Sequence, residues 1–477
     1  MSSIIIKNGN VCELDIPLKY AQKLYKKYSV RHPNWFYLKN RKGWDGYIKY
    51  ITATGQFKIG LLESVVKDLQ EMGFTKYKII DNRKPVPKVN KVVTRIGNYK
   101  LRPEQIQAVE SIIHHTVKGI PFHIGVLDYT VNAGKSLIMA ALYYSFRKGL
   151  KTLLITNDAD WLNQAKDEFK QYLPGEKITF VQGKVNNWSN FSIGMVQSLS
   201  RNIRYYQKEL ASIDMILVDE ADLAGSKQYQ NVITRCFNAR VRIGLSGTIY
   251  MSKLAKDKVK NLNLKTFFGE IISQFHLIES IEKGYSTKTI VKVIQPKSYF
   301  GNWESSFMDY QDIYNDTITN NKVAWKIVKD RLLFNLNYGR IPALVVCKFI
   351  KHAENLYTYL SKKLKNYRIE RVHVKTKTKI RNKILKDFRE GKIDILISTT
   401  IIARGKNFPL LRCLINAASM DSQEKSIQFL GRLVRTHASK SKVYLDDIHY
   451  PGNYLDRHGK HRERYYKEQK LKVIKVR

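Results

Sequence analysis

The chain has 477 residues, 43% of them apolar, which is long enough for two to four domains and apolar enough to give each a core. Its 83 Lys and Arg against 41 Asp and Glu leave a net charge of +42, a self-repelling surface unless a polyanion covers it. Nucleic acid is the first candidate; the bland reading is a basic proteome that writes basic surfaces everywhere.

The amino terminus, "MSSIIIKNGN", has too short an apolar stretch for a secretory signal, and no run approaches the length that spans a bilayer. Cys12, Cys236, Cys347 and Cys413 lie far apart with no C-x-x-C pair, so neither a zinc knuckle nor a disulfide framework is indicated. These features place the protein in the cytoplasm, that of a bacterial host if it is phage-encoded. Residues 1–95 read as a small α+β accessory domain closing with a Pro- and Lys-rich linker, "DNRKPVPKVNK". Within it, "HPNWFYLKNRKGWDGYIKY" interleaves Trp35, Phe36, Tyr37, Trp44 and Tyr47 with Lys39, Arg41, Lys42 and Lys49. Aromatics among cations can stack bases and neutralise phosphates, which makes Trp44 a nucleic-acid candidate, although most of these rings are expected in the domain's core.

From about residue 96 to 290, "GVLDYT", "TLLIT", "ITFVQG", "SIGMVQS", "MILVDE" and "RIGLSG" are continuous apolar runs, the pattern of strands buried on both faces of a parallel sheet. Between them lie amphipathic helices, such as the one carrying Trp161, Leu162, Ala165 and Phe169 behind Asp160 as its cap. Residues 291–450 form a second α/β domain, with strands "ALVVCKF", "RIERVHV", "DILIST", "CLINAA" and "KVYLDD". One of its helices places Ile380, Ile384, Leu385 and Phe388 on a single face and stops at Gly391. The remaining residues, 451–477, carry nine Lys and Arg and read as a basic tail.

Four segments carry chemistry. "YTVNAGKS" follows a strand and opens an apolar helix, the context in which loop amides and a helix N-terminus hold phosphates. In that setting Lys135 neutralises the terminal phosphates and the Ser136 hydroxyl reaches Mg²⁺, although Tyr129 stands where the usual pattern has its first glycine. "MILVDEAD" delivers carboxylates at a strand's C-terminal end, where Asp219 can bind Mg²⁺ and Glu220 can orient and deprotonate a water. "LSGT" sets Ser246 and Thr248 after another strand, small hydroxyl residues able to couple the carboxylates to a moving neighbour. Finally, "QFLGRLVR" places Gln428, Arg432 and Arg435 on one helix face, where the arginines suit a γ-phosphate.

In this order the segments resemble the superfamily 2 helicases and translocases, whose two RecA-like domains clamp ATP between them. "LRPEQIQAV" is similar to the adenine-reading Q motif, with Gln105 in the reading position and Arg102 beside it. "TVNAGKS" resembles motif I, "LLITNDADWLNQ" Ia, "IGMVQSL" Ic, "VDEAD" II and "LSGT" III; "ALVVCKF", "ISTTIIARGKNFP" and "QFLGRLVR" resemble IV, V and VI. The resemblance covers about residues 96 to 450 and implies an ATP and Mg²⁺ site. It assigns Asn132, Ala133, Gly134, Gly405 and Gln428 to the nucleotide, and Thr156, Gln197, Ser198, Lys348 and Thr400 to nucleic acid. Motif I of this superfamily tolerates a non-glycine at its first position, so Tyr129 does not argue against ATP. The "RKGWDGYIKY" stretch and the small polar residue before Ala-Gly-Lys-Ser bring the chain closest to the bacteriophage UvsW-type DNA helicases. That likeness implies action on branched DNA or RNA–DNA hybrids; no membrane-spanning run stands in the sequence and no obligate protein partner is evident from it. Motif V departs from many relatives at Lys406 and Asn407. The literal Asp-Glu-Ala-Asp keeps a DEAD-box RNA helicase open, and beside it stand a motor subunit of a restriction system and a non-motor nucleotide switch.

Overall fold

Eight strands form the large sheet of the first half of the chain. Their order is Val185–Asn186, Ile178–Gln182, Phe191–Met195, Thr152–Thr156, Met215–Asp219, Val241–Ser246, Ile124–Tyr129, Ile271–Phe275. All neighbours run parallel except the edge strand Val185–Asn186. Thr152–Thr156, Phe191–Met195, Met215–Asp219 and Val241–Ser246 are buried throughout, which is why their sequences are uninterrupted apolar runs. This computed structural model describes the chain apart from residues 1, 34, 39–43, 184, 248, 250–254, 297–308, 404–407, 422 and 477.

The chain divides into two units, Met1–Phe275 and His276–Arg477. The division lies before residue 290, because the strand Lys288–Ile294 pairs in the sheet of the second unit. In the first unit, the helix Ala159–Tyr172 buries Leu162, Ala165 and Phe169 as its spacing predicts. Its cap is Asp158 and not Asp160: the Asp158 carboxylate accepts from the Trp161 amide at 3.1 Å, the third position of the helix, whereas Asp160 lies inside the first turn.

The first 95 residues are not a bead on a linker. A four-stranded sheet, ordered Gln56–Lys58, Val11–Asp15, Ser3–Ile6, Lys78–Asp81, packs with the helices Leu18–Lys27 and Leu62–Glu71 around a core that also contains Val117, Phe122 and Ile124. Asn10 donates to the Thr234 carbonyl at 2.7 Å and accepts from the buried Arg242 at 2.7 Å. The backbones approach so closely that a Cβ on Gly9 would lie 2.3 Å from the Ala239 carbonyl oxygen, and one on Gly60 would lie 2.2 Å from that of Lys265. Even the Pro- and Lys-rich segment is held, since Arg240 donates to the carbonyls of Lys84 and Pro85.

The second unit holds seven parallel strands in the order Ile369–Val372, Ile395–Thr399, Ala343–Cys347, Cys413–Asn416, Lys442–Ile448, Lys288–Ile294, Lys472–Val476. The fold is therefore α/β with two RecA-like parallel-sheet domains. The residues read as a basic tail are part of it. Asn453–Glu468 is a helix whose buried Arg462 pairs with buried Asp447 at 3.0 Å, and Lys472–Val476 adds an edge strand beside Lys288–Ile294. On the helix Thr378–Arg389, Leu385 and Phe388 are buried, but Ile380 is 52% exposed, so the apolar face is narrower than its sequence implies. Among the described residues no helix is long and apolar enough to cross a membrane.

Candidate nucleotide site and nucleic-acid track

The segment between the Ile124–Tyr129 strand and the Lys135–Phe146 helix turns sharply, with Asn132 at φ +65° and Gly134 at φ +74°. A side chain at Gly134 is excluded twice over. Its Cβ would adopt a left-handed backbone and lie 2.3 Å from the Gln105 amide nitrogen and 3.1 Å from the Arg102 guanidinium. Those two residues brace the loop: Gln105 Nε2 donates to the Ala133 carbonyl at 2.9 Å and Arg102 Nη2 to that of Asn132 at 3.0 Å. Gln105 Oε1 also accepts from the Arg102 amide at 2.9 Å, so both ends of this buried amide are used inside the protein. Gln105 therefore supports the loop in this structure, at the position to which the Q-motif resemblance assigns adenine reading.

Tyr129 ends the strand as a fully buried residue. Its hydroxyl donates to the Glu104 carbonyl at 2.9 Å and lies 2.9 Å from Ser273 Oγ, tying the loop to the preceding helix and to the edge strand. The missing glycine is a strand residue facing the core, which leaves the turn to Asn132 and Gly134. Ala133 is buried, while Lys135 and Ser136 occupy the first two positions of the helix. Lys135 Nζ donates to the carbonyls of Tyr129 at 3.1 Å and Thr130 at 3.2 Å, folding back across the loop.

Carboxylates gather at the same end of the sheet. Asp219 closes its strand almost fully buried, and burial raises its pKa to about 6 against the opposing pull of Lys135. Asp128, one residue before Tyr129, is raised by burial to about 7, again opposed by Lys135. Glu220 follows Asp219 in a left-handed conformation, φ +52°, which turns the chain out of the sheet. Asp222 accepts from Ser246 Oγ at 2.8 Å with both groups buried. The carboxylate cluster is therefore bonded to the strand that precedes Gly247, whose own Cβ would lie 3.0 Å from Thr130 Cα and from the Tyr129 oxygen. Thr248 lies outside the described residues. Sequence pattern assigns no role to Asp128 or Asp222; the usable signals are an acid interrupting the apolar run "GVLDYT" and the fourth letter of the Asp-Glu-Ala-Asp quartet.

This donor set suits a Mg²⁺-bound triphosphate. A cation beside Asp219 would favour the ionised carboxylate that burial disfavours, and the loop is shaped where no Cβ fits.

Residues 98–251 match the family described as type III restriction enzyme, res subunit, and residues 326–437 match the helicase conserved C-terminal domain. The chain belongs to the superfamily 2 helicases. It is 22% identical over 475 residues to the ATP-dependent DNA helicase uvsW of Enterobacteria phage T4, covering 90% of each chain. IRC3 of Saccharomyces cerevisiae, assigned as an ATP-dependent helicase, is 22% identical over 364 residues, 73% of this chain; the chain spans about half, 51%, of that relative. Among solved structures, a fragment of an HsdR-type subunit of a type I restriction enzyme from Vibrio vulnificus aligns at TM-score 0.59 and 16% identity. It covers 97% of this chain and 83% of that one, a likeness of fold. RNA helicases are also among the similar proteins.

In this superfamily 2 helicase the strand-contact candidates of the first unit sit together. Thr156 ends its strand buried, its hydroxyl accepting from the Asp158 amide at 3.2 Å, so in this structure it shapes the turn and is not presented to solvent. Gln197 Nε2 reaches the Asn157 carbonyl at 3.4 Å, and Ser198 Oγ accepts from the Gly183 amide at 3.0 Å; both residues are half-buried. In the second unit, Lys348 follows the Ala343–Cys347 strand with Nζ 3.8 Å from the Tyr310 ring centroid. Burial, then repulsion from Lys425, lowers its pKa to about 8. Thr400 opens a 3₁₀ turn after the Ile395–Thr399 strand, and Gly405 lies outside the described residues. Gln428 and Arg432 are half-buried on the helix Gln423–Leu433. Arg435 is not on that helix with them: the helix ends at Leu433, and the Val434 and Arg435 carbonyls accept from the Thr287 amide at 2.8 Å and hydroxyl at 3.1 Å.

The aromatic stretch of the first 95 residues departs from expectation. Trp35, Phe36, Trp44 and Tyr47 are all absent from the core there, with Phe36 57% and Tyr47 40% exposed. Arg31 stacks on Trp35 at 3.6 Å from its centroid, His32 meets Trp44 edge-on, and Trp44 Nε1 donates to the Tyr47 carbonyl. Two short strands, Ser29–Arg31 and Tyr47–Lys49, mount these rings outside the main sheet, where local sequence alone could not place them. Of Tyr37, Lys39, Arg41 and Lys42, no side chain falls within the described set.

Proposed function

We propose that the chain is an ATP-dependent DNA helicase or translocase that remodels branched DNA, migrating junctions or forks and unwinding R-loops or D-loops. The observation that carries this reading is the convergence of Lys135, Asp219 and Glu220 on one braced, left-handed turn at the carboxyl edge of a parallel sheet. A second α/β unit supplies Arg432 and Arg435 in the order the family uses. The DNA preference is supported by the phage T4 relative, a DNA helicase by name that matches nine-tenths of both chains.

Under this reading Ser136 and Asp219 would hold Mg²⁺ and Lys135 the phosphates, and bound ATP would supply the phosphoanhydride whose cleavage drives the cycle. Glu220 orients a water and accepts its proton, and Arg432 and Arg435 offset the charge that develops on the transferred group. The Ser246–Asp222 bond couples the carboxylate cluster to its neighbouring strand. A motor must pass every sequence, so backbone contacts dominate, supplied by Gln197, Ser198, Lys348 and Thr400. Exposed Lys375, Lys377, Lys379 and Lys383 around the Thr378–Arg389 helix, together with the Trp44 cluster, add contacts to a duplex arm.

The test compares ATP-dependent unwinding of a four-way DNA junction, an R-loop and a plain RNA duplex, alongside phosphate release with and without DNA. The expected result is unwinding of the first two with DNA-stimulated release. Activity confined to the RNA duplex would replace the DNA reading with an RNA helicase, and tight ATP binding without turnover would replace it with a switch. Affinity should also drop by orders of magnitude between ~50 and ~200 mM salt if six to ten phosphates are neutralised.

A further inference from the structure

We propose that Tyr205, flanked by Arg201 and Arg204, is a stacking platform for an unpaired base of the bound strand, a contact that none of the helicase motifs supplies. The inference rests on the nucleic-acid reading above and adds a site to it.

The short helix Val196–Arg201 begins where the Phe191–Met195 strand ends, and it carries Gln197 and Ser198 beside the Asn157 turn. Past its last residue the chain makes a tight excursion whose two tyrosines have opposite fates. Tyr206 is 3% exposed, its ring 5.6 Å from Trp188, its amide bonded to the Asn202 carbonyl at 3.1 Å and its carbonyl accepting from the Leu210 amide at 2.9 Å. Asn202 is itself tied back to the Ser198 carbonyl, at 3.0 Å through its side chain. That anchoring lifts Tyr205 outward. It is 73% exposed, with its ring held edge-on to Tyr206 at a centroid distance of 5.3 Å. A ring fixed on an anchored turn has already lost much of the freedom that stacking would cost it.

Charge identifies the occupant. "RNIRYYQK", residues 201–208, has three cations and no acid, and the next residue, Glu209, is half-buried. Arg201, Arg204 and Lys208 are exposed, and among the described residues none of the three pairs with a carboxylate. A protein partner seeking an apolar foothold would find one ring among arginine, asparagine, glutamine and lysine. A single strand finds a π-face for its base and cations for the flanking phosphates, the combination that binds without regard to sequence. The site also directly follows the short helix that carries two of the proposed backbone contacts, so one strand can engage all of them.

The experiment measures binding of a 2-aminopurine-labelled single-stranded DNA by the full chain, using fluorescence quenching and anisotropy at several salt concentrations. Tyr205→Ala should weaken binding about 5- to 100-fold and relieve the quenching, while Tyr205→Trp restores both. Arg201→Ala combined with Arg204→Ala should instead reduce the magnitude of the salt slope by about 1.4, the value for two phosphates on a single strand. Hydrolysis of ATP without nucleic acid should be unchanged in all three, which shows them folded. Wild-type affinity and quenching in Tyr205→Ala would overturn the platform and leave the helicase reading intact; a wild-type chain that binds no single strand would overturn both.

Discussion

The strands Ile124–Tyr129 and Ala343–Cys347 each have a parallel neighbour on both sides and each leads into a helix, yet they make different junctions. In the first unit five residues, Thr130 to Gly134, separate strand from helix, and two of them have positive φ. In the second unit only Lys348 and Phe349 intervene before Ile350–Lys363, and neither has positive φ. The longer turn sets two left-handed residues ahead of its helix, while the shorter one leaves a single lysine over an aromatic ring. Under the proposed function the same architecture thus offers a phosphate cradle once and a point charge once, and the fold alone does not say which.

Substitutions can break that contrast. The largest effect should come from Arg432→Ala, which is expected to lower the steady-state rate of phosphate release ~10³- to 10⁵-fold with little change in nucleotide affinity. A wild-type rate would confine the chemistry to the first unit. Next, Glu220→Gln should cost ~10²- to 10⁴-fold in turnover and spare binding of a fluorescent ATP analogue. Normal DNA-stimulated hydrolysis in that variant would remove Glu220 from its role.

Asp128→Asn probes the cradle through stability. The folded pKa of Asp128 stands near 7, above the ordinary carboxylate value, so the native state holds this proton more tightly than the unfolded chain does. Its stabilising contribution is complete below pH ~4 and is lost as pH rises through 7. In metal- and nucleotide-free buffer the variant should therefore be more stable than wild type at pH 8 by ~1–3 kcal/mol, with the gap closing at acid pH; thermal melts across pH check this. The smallest effect belongs to the point charge: Lys348→Ala should weaken single-strand binding several-fold and leave ATP affinity alone. Because Lys348 titrates near pH 8, wild-type binding should also decline between pH 7 and 9 more steeply than that of the variant.

Much of this was legible in the sequence because parallel strands buried on both faces leave unbroken apolar runs, and because the motif residues cluster at the ends of those runs. What escaped reading depended on distant partners. "KLKVIKVR" looks like solvated tail since lysines are what an edge strand carries for protection, and only the pairing with Lys288–Ile294 reveals it as a strand. Gln105 reads as a nucleotide contact by position, and its bracing bond to the Ala133 carbonyl, 28 residues away, has no signal in local sequence. Helical spacing put Arg435 on the motif helix, which in fact stops two residues earlier where Thr287 captures the chain. For Trp35 and Trp44, composition could not distinguish a domain's interior from a layer mounted on its outside.

The buried seam between the first 95 residues and the helicase sheet bears on how their contribution can be measured. A chain begun at residue 96 would bare Val117, Phe122 and Ile124 to water and strip Arg242 of its Asn10 acceptor. Such a fragment would be prone to aggregate for reasons unrelated to DNA, and its inactivity would be uninformative. Whether this layer grips the substrate is a matter for single replacements at Phe36 or Trp44, made in the intact polypeptide.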